Sequence, residues 1–407
     1  MNEYPLIADH GLIGDLQTSA LVSTDGSIDW FCAPRFDSPS IFASLLDAKN
    51  GGFCRIRPKV DVFSTTQLYL PDTAVLVTRF LTDAGVGEVI DFMPIVDDTQ
   101  VATKRHRIVR IVRCVRGELT FAIDIAPRFD YGREDHVAEL SDEGVVFRGK
   151  STSMTVHVVR EPKDERLATG KIDKKGDLHF EVTLQSGQTR GLVIETGSDG
   201  PPKAIRAAAV QQLFDDTRDF WTDWISQSTY AGRWREMLER SAITLKLMTY
   251  APTGGLVAAP TTGLPEQVGG ERNWDYRYTW IRDASFSVYA LLGMGFEDEA
   301  AAFALWLRDR VVDVDPQSDQ SPLKIMYRID GSSDLAEETL EKWEGYRGSS
   351  PVRIGNGASD QLQQDIYGEA MDSIYFAIQH GLQAGQAGWL KIVGLLNWVC
   401  DHWQEPD

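Results

Sequence analysis

The sequence predicts two fold classes in succession: an antiparallel β-sandwich to about residue 198, then a helical barrel domain from about residue 230. Three observations predict it. Before Asp199, apolar residues alternate with period two in many short runs divided by Gly, Asp and Lys turns. At Asp199-Gly200-Pro201-Pro202, two prolines end that pattern. Beyond them, apolar residues recur at helical spacing, with long irregular connections between the stripes. A chain of 407 residues also exceeds what one small core organises, so two domains are the natural division.

The β elements follow in order. Thr24-Asp25-Gly26-Ser27 is a hairpin turn between Ala20-Leu21-Val22 and the alternating Ile28, Trp30 and Cys32. Further strands are expected at Ala74–Leu81, Val89–Met93, Ile108–Val115, Phe121–Ile125, Val145–Arg148, Met154–Val159, His179–Leu184 and Gly191–Glu195. Leu178, Phe180, Val182 and Leu184 alternate with His179, Glu181 and Thr183, which marks a strand with one wet face. No nucleotide loop, nucleophile motif or metal spacing occurs in this half, and the seven histidines form no HxxxH pair on a predicted helix.

Val210, Leu213, Thr217, Trp221 and Trp224 then repeat at helical spacing, so 199–229 reads as a helical linker. The first helix of the next domain covers Arg233–Tyr250, with Trp234, Leu238, Ala242 and Leu245 on one face. A second begins at Asp283, and a third spans Glu297–Val312 behind Phe303, Trp306 and Leu307. A long loop from Asp313 to Asp360 follows, and a loop of that length and composition is usually functional. The fourth helix, Gln361–His380, carries the stripe Met371, Ile374, Tyr375 and Ile378; the fifth, Gly388–Trp403, carries Trp389, Ile392, Val393, Leu396, Val399, Cys400 and Trp403.

Composition narrows the partners. A net charge of −19 argues against nucleic acid and anionic membranes, whose recognition needs clustered Lys and Arg. The opening MNEYPLIADHGLIGD has neither a basic nor an apolar signal region, no run approaches a membrane span, and the cytoplasm is the expected compartment. The four cysteines, Cys32, Cys54, Cys114 and Cys400, lie far apart without CxxC spacing and read as reduced core thiols.

Between Gly269 and Gly295 stands the densest chemistry, GGERNWDYRYTWIRDASFSVYALLGMG. Trp274, Tyr276, Tyr278, Trp280 and Phe286 alternate with Glu271, Arg272, Asp275, Arg277, Arg282 and Asp283. Aromatic faces among carboxylates and guanidinium forks suit a ligand with C–H faces and many hydroxyls, which is a sugar. The same pattern also describes a buried ion pair under an aromatic cluster. Asp283 falls where a helix N-cap or first-turn carboxylate belongs.

The run W-x-Y-R-Y-x-W-x-R-D resembles the motif of glycoside hydrolase family 15, the glucoamylases, glucodextranases and bacterial trehalases. Residues 11–47, 256–284, 344–374 and 402–407 each resemble its bacterial trehalase-like branch. The resemblance implies an N-terminal β domain and an (α/α)6-type barrel of twelve helices, of which the five read here would be the first half. It implies an inverting α-glucosidase, α,α-trehalase above all, with glucoamylase or glucodextranase specificity and a non-catalytic sugar-binding fragment as alternatives. No cofactor is implied, because inversion needs only an acid and a base carboxylate. The resemblance puts both of those beyond Asp407, so no catalytic residue is assigned.

In the family, the pair matching Arg282 and Asp283 grips the outer hydroxyls of the non-reducing glucose. They are expected to share a pocket with at least two of Trp274, Tyr278, Trp280 and Glu369. Asp275 is expected to brace Arg277 or Arg282; Tyr346, Arg347 and Arg353 would close over the second sugar; Asn356 and Gln361 are hydroxyl partners or turn residues. Finally, the seam on the fifth helix needs a cover. Each large side chain is worth about 1.5–3 kcal/mol on burial, so residues 1–407 alone are expected to self-associate or to be completed by a further C-terminal segment.

Overall fold

The computed structural model describes residues 4–95, 99–160, 170–311, 321–379, 381 and 385–406. The expected ends at Val312, His380 and Asp407, and the start of the long loop at Asp313, lie outside the described residues.

The first compact unit comprises residues 1–224 with 264–273 and 341–352. Its strands pair antiparallel throughout, as short alternating runs joined by tight turns require. The predicted hairpin forms between Ser19–Ser23 and Ser27–Cys32 around Gly26 at φ +85°, where a Cβ would lie 2.1 Å from the Ile56 carbonyl oxygen. The two strands expected at 108–115 and 121–125 are one, Arg107–Ala126. Its first half pairs with Gly85–Phe92 and Thr189–Thr196; its second half pairs with Phe53–Pro58 and Leu178–Gln185. One strand therefore belongs to both layers of the sandwich. The layers bury a common core that includes Phe31, Cys54, Phe80, Val112, Phe121 and Phe147. Arg110 crosses that core fully buried, its guanidinium bonded to Asp91 at 2.7 Å and to the carbonyls of Cys54 and Gly26. Strands at His10–Gly14, Phe53–Pro58 and Val62–Tyr69 were not expected; the last is largely exposed and lacks a clean apolar alternation.

The helix expected to link two domains, α1 (Ala207–Ile225), belongs to this unit up to Trp224. Val210 packs with Val75, Phe92, Val109, Val159 and Val193, so the apolar stripe finds the sheet. The boundaries at 198 and 230 thus give way to a division near 224, and two later segments return to the first unit.

The second unit comprises residues 225–263, 274–340 and 353–407. It is helical: α2 (Arg235–Leu247), α3 (Ile281–Gly293), α4 (Glu297–Arg308), α5 (Asp365–Gln379) and α6 (Gln386–His402). Their inner faces meet in a cluster including Ile281, Val288, Phe303, Trp306, Ile366 and Trp398. Three expected faces are rotated. On α2 the buried side is Glu239, Ala242, Ile243 and Leu247, because Arg235 and Lys246 bond Glu239 and Glu299 and make those carboxylates fit to bury. On α5 the buried side is Ile366, Tyr367, Ala370, Ser373 and Ala377, whereas Tyr375 is 60% exposed. On α6 Ile392, Leu395 and Trp398 are buried, while Trp389, Leu396 and Trp403 face solvent. Cys400 is exposed as well, unlike the other three thiols, so it is not a core residue. No described helix is long and apolar enough to cross a membrane.

Candidate functional site

The motif builds its site from an extended segment. Residues Trp274 to Trp280 lie beside 257–263, with the amides of Gly263, Ala259 and Ala258 donating to the carbonyls of Trp274, Tyr276 and Tyr278 at 2.9–3.0 Å. Extended chain sends neighbouring side chains to opposite sides. Asp275 and Arg277 accordingly point inward, each 1% exposed, while Trp274, Tyr276 and Trp280 stay half-buried.

The inward pair is saturated. Arg277 Nε donates to Asp275 Oδ1 at 2.9 Å and Nη2 to Oδ2 at 2.7 Å, a bidentate fork. The Tyr278 hydroxyl and the Gly355 amide each donate to Oδ2 at 3.1 Å, and the Arg277 amide donates to Oδ1 at the same distance. Asn356 completes the joint, its Nδ2 donating to the Asp275 carbonyl at 3.1 Å while its Oδ1 caps Ala358. Asp275 braces Arg277, not Arg282. Being sealed and fully bonded, Asp275 and Tyr278 have no surface left for a sugar, and Asn356 is a cap. This corrects the place of Tyr278 in the pocket and of Asp275 as a substrate contact; Asp275 instead braces Arg277, and Asn356 takes its turn-and-cap alternative.

The segment then turns into a helix. Thr279–Trp280 pairs with Met326–Tyr327, inside the expected long loop, and the Ile281 amide donates to the Ile325 carbonyl at 3.0 Å. That pairing holds Trp280 extended (φ −82°, ψ 129°), so α3 starts at Ile281, two residues before the expected start. Arg282 and Asp283 therefore occupy its first turn, where the helix dipole favours a carboxylate.

Here the polar groups are open. The Arg282 and Asp283 side chains are 38% and 44% exposed. Arg282 Nη1 donates to Asp365 Oδ2 at 2.8 Å; its Nη2 stands 3.4 Å from Asp283 Oδ2, near enough for attraction but not aligned as a hydrogen bond. Asp283 Oδ2 and Trp280 Nε1 are each buried and have no hydrogen-bond partner among the described residues. The guanidinium carbon lies 5.8 Å from the Trp280 ring centre, and that ring is 6.3 Å from Tyr276. Bonding to Asp365 holds the Arg282 pKa above its ordinary value. Glu369, one turn along α5, has its pKa raised by burial, then by Asp372 and Asp365, against the opposing charge of Arg282.

A groove of about 610 Å³ opens at this point, lined by Arg282, Gln361, Leu362, Gln363, Asp365 and Pro406. Pro406 reaches it because Gln364 Nε2 donates to the carbonyls of His402 and Glu405, both at 3.0 Å. Asp283 and the expected pocket partners Trp274, Tyr278, Trp280 and Glu369 do not line this groove, so the expected shared pocket of Arg282 and Asp283 is not formed there. Trp274 instead lies under Arg353, 4.7 Å from ring centre to guanidinium, and Arg353 is paired to Glu337 at 3.2 Å.

Tyr346 and Arg347 sit in the other unit. Tyr346 is 2% exposed, donates from its hydroxyl to the Pro5 carbonyl at 2.8 Å and packs edge-on against Tyr4. Arg347 donates to the Tyr4 carbonyl at 3.2 Å. Burial and these bonds commit Tyr346 to the core of the first unit, a second correction. Asp365 is the partner that sequence reasoning missed. It lies 83 residues from Arg282, and nothing in local spacing reports a contact between two helices.

Comparison with known proteins agrees in both halves. Residues 232–407 match the profile of Glycosyl hydrolases family 15, and residues 2–163 match that of Trehalase-like, N-terminal. A trehalase of Mycolicibacterium smegmatis is 36% identical over 100% of this chain and 62% of its own length. A trehalase of Thermoplasma volcanium is 34% identical over 99% and 62%, and trehalase 1 of Sulfolobus acidocaldarius is 33% identical over 98% and 65%. The chain thus spans less than two thirds of the length of these relatives.

Proposed function

The chain belongs to glycosyl hydrolase family 15, in its trehalase branch, and on that premise we propose that it is the glucose-gripping part of an inverting α,α-trehalase. The observation that carries the reading is the first turn of α3. Arg282, with N–H donors unspent, stands part-exposed beside the Trp280 ring, and the neighbouring Asp283 side chain is 44% exposed, its unpartnered Oδ2 being the buried oxygen. Pyranose hydroxyls suit the remaining Arg282 donors and the exposed part of the Asp283 carboxylate, and the sugar's C–H face suits the indole.

Inversion proceeds by protonation of the glycosidic oxygen while water, activated by a second carboxylate, attacks the anomeric carbon from the opposite face. The acid and the base are assigned to no residue of this chain. Glu369 is assigned to hydroxyl contact beside Arg282, and Arg353 over Trp274 to the second sugar. The four cysteines lie far apart in sequence without CxxC spacing, which suits a reducing compartment, and we place the protein in the cytoplasm.

The test is calorimetric titration of the 407-residue chain with trehalose, maltose and isomaltose, alongside an assay for glucose release from each. Trehalose is expected to bind best, and Arg282→Ala to abolish the heat. Absence of heat with all three sugars at millimolar concentration would sink the reading. Preference for maltose would move the assignment to a glucoamylase.

A further inference from the structure

Building on the glucoside reading, we propose that Asp365 is the positioning residue of Arg282: it fixes the guanidinium across the N-terminal turns of α3 and α5, so that a sugar meets a fork already aimed. Arg282 makes one hydrogen bond among the described residues, from Nη1 to Asp365 Oδ2 at 2.8 Å. A guanidinium has five N–H donors in a rigid plane, so anchoring one orients the rest and leaves them for ligand hydroxyls.

Asp283 cannot supply that anchor. Side chains adjacent in sequence diverge around a helix, and its 3.4 Å approach lacks hydrogen-bond alignment. Asp365 comes from a different helix, and that helix is held in place independently. Tyr289 on α3 and Phe376 on α5 pack with ring centres 4.7 Å apart, and Gln364 ties the start of α5 to the end of α6. The anchor therefore stands on packed elements, although the pair itself is well exposed. An exposed ion pair adds little to stability, so any effect of Asp365 should appear in binding and orientation instead.

The experiment compares Asp365→Ala, Asp365→Glu and Asp372→Asn in the full 407-residue chain. Asp372→Asn removes a neighbouring carboxylate from α5 and leaves the Arg282 anchor in place. Two readouts are taken: calorimetric affinity for trehalose, and nitrogen relaxation of the Arg282 Nε–H signal, identified by its disappearance in Arg282→Lys. Asp365→Ala is expected to weaken trehalose about tenfold, to leave the melting temperature nearly unchanged and to make the Arg282 signal mobile. Asp365→Glu should restore order and part of the affinity, and Asp372→Asn should match the unmodified protein. Unchanged affinity in Asp365→Ala, or an equal loss in Asp372→Asn, overturns the proposal. If the unmodified chain binds no glucoside, the glucoside reading fails by itself. The relaxation data still decide the positioning role: an Arg282 as ordered in Asp365→Ala as in the unmodified chain refutes it, and one mobile there but ordered in Asp372→Asn upholds it.

Discussion

Two arginine–aspartate pairs stand a few residues apart in one motif and have opposite fates. Asp275–Arg277 is buried, bidentate and further bonded by Tyr278 and Gly355. Arg282–Asp283 is well exposed, misaligned and bonded mainly elsewhere, to Asp365. The difference is geometric. The first pair lies in extended chain, where side chains two residues apart share a face; the second consists of neighbours on a helix, which diverge. The sealed pair joins the aromatic segment to the turn at Gly355, and the open pair retains hydrogen-bonding capacity for something outside the protein.

The largest expected effect breaks the sealed pair. Asp275→Ala removes the bidentate carboxylate from a buried guanidinium and should cost about 3–5 kcal/mol of stability in urea denaturation. A loss below about 1 kcal/mol would place this pair with surface salt bridges and erase the contrast. Next, Asp283→Ala should leave the urea midpoint almost unmoved. In a catalytically complete form it should cost on the order of 3 kcal/mol in transition-state binding, read from kcat/KM on trehalose. Near-normal turnover would remove Asp283 from the site.

Gly355→Ala probes the joint itself. Gly355 has φ +76°, and a Cβ there would lie 2.0 Å from the Ala336 carbonyl oxygen. The left-handed backbone alone should cost about 1–2 kcal/mol, and the clash adds to it. Full stability in this variant would show that the turn moves freely and is not fastened by Asp275.

The smallest effect is electrostatic. Glu369 has a pKa above its ordinary value, pushed up by burial and by the carboxylates of Asp372 and Asp365, with Arg282 pulling the other way. A carboxyl whose folded pKa exceeds its unfolded one withdraws stability as pH rises through the interval between them. Arg282→Ala removes the opposing charge, so the Glu369 pKa should climb further and that interval should widen upward. Carbon NMR of the labelled carboxyl measures it directly. A fall, or no change, would mean that Arg282 does not face Glu369.

Much of this was legible before the fold was known. The alternation of Leu178, Phe180 and Leu184 with His179 and Glu181 returns as inward and outward faces of one strand. The helical spacing from Val210 to Trp224 returns as α1, and Asp283 returns in a first turn. What misled were stripes with two apolar faces to choose from. On α5, Tyr375 and Ile378 were as apolar as Ile366 and Ala370, and only the neighbouring helices decide which side packs.

The amino-acid order alone therefore determined the succession of strand and helix, the family and the motif that holds both arginine–aspartate pairs, because period, turn chemistry and a dense motif are local properties. Tertiary structure alone decided which arginine is sealed and which is open, that Asp365 anchors Arg282, and that Tyr346 belongs to the first unit's core. Those depend on contacts across tens to hundreds of residues, and such contacts leave no mark in the spacing of one chain.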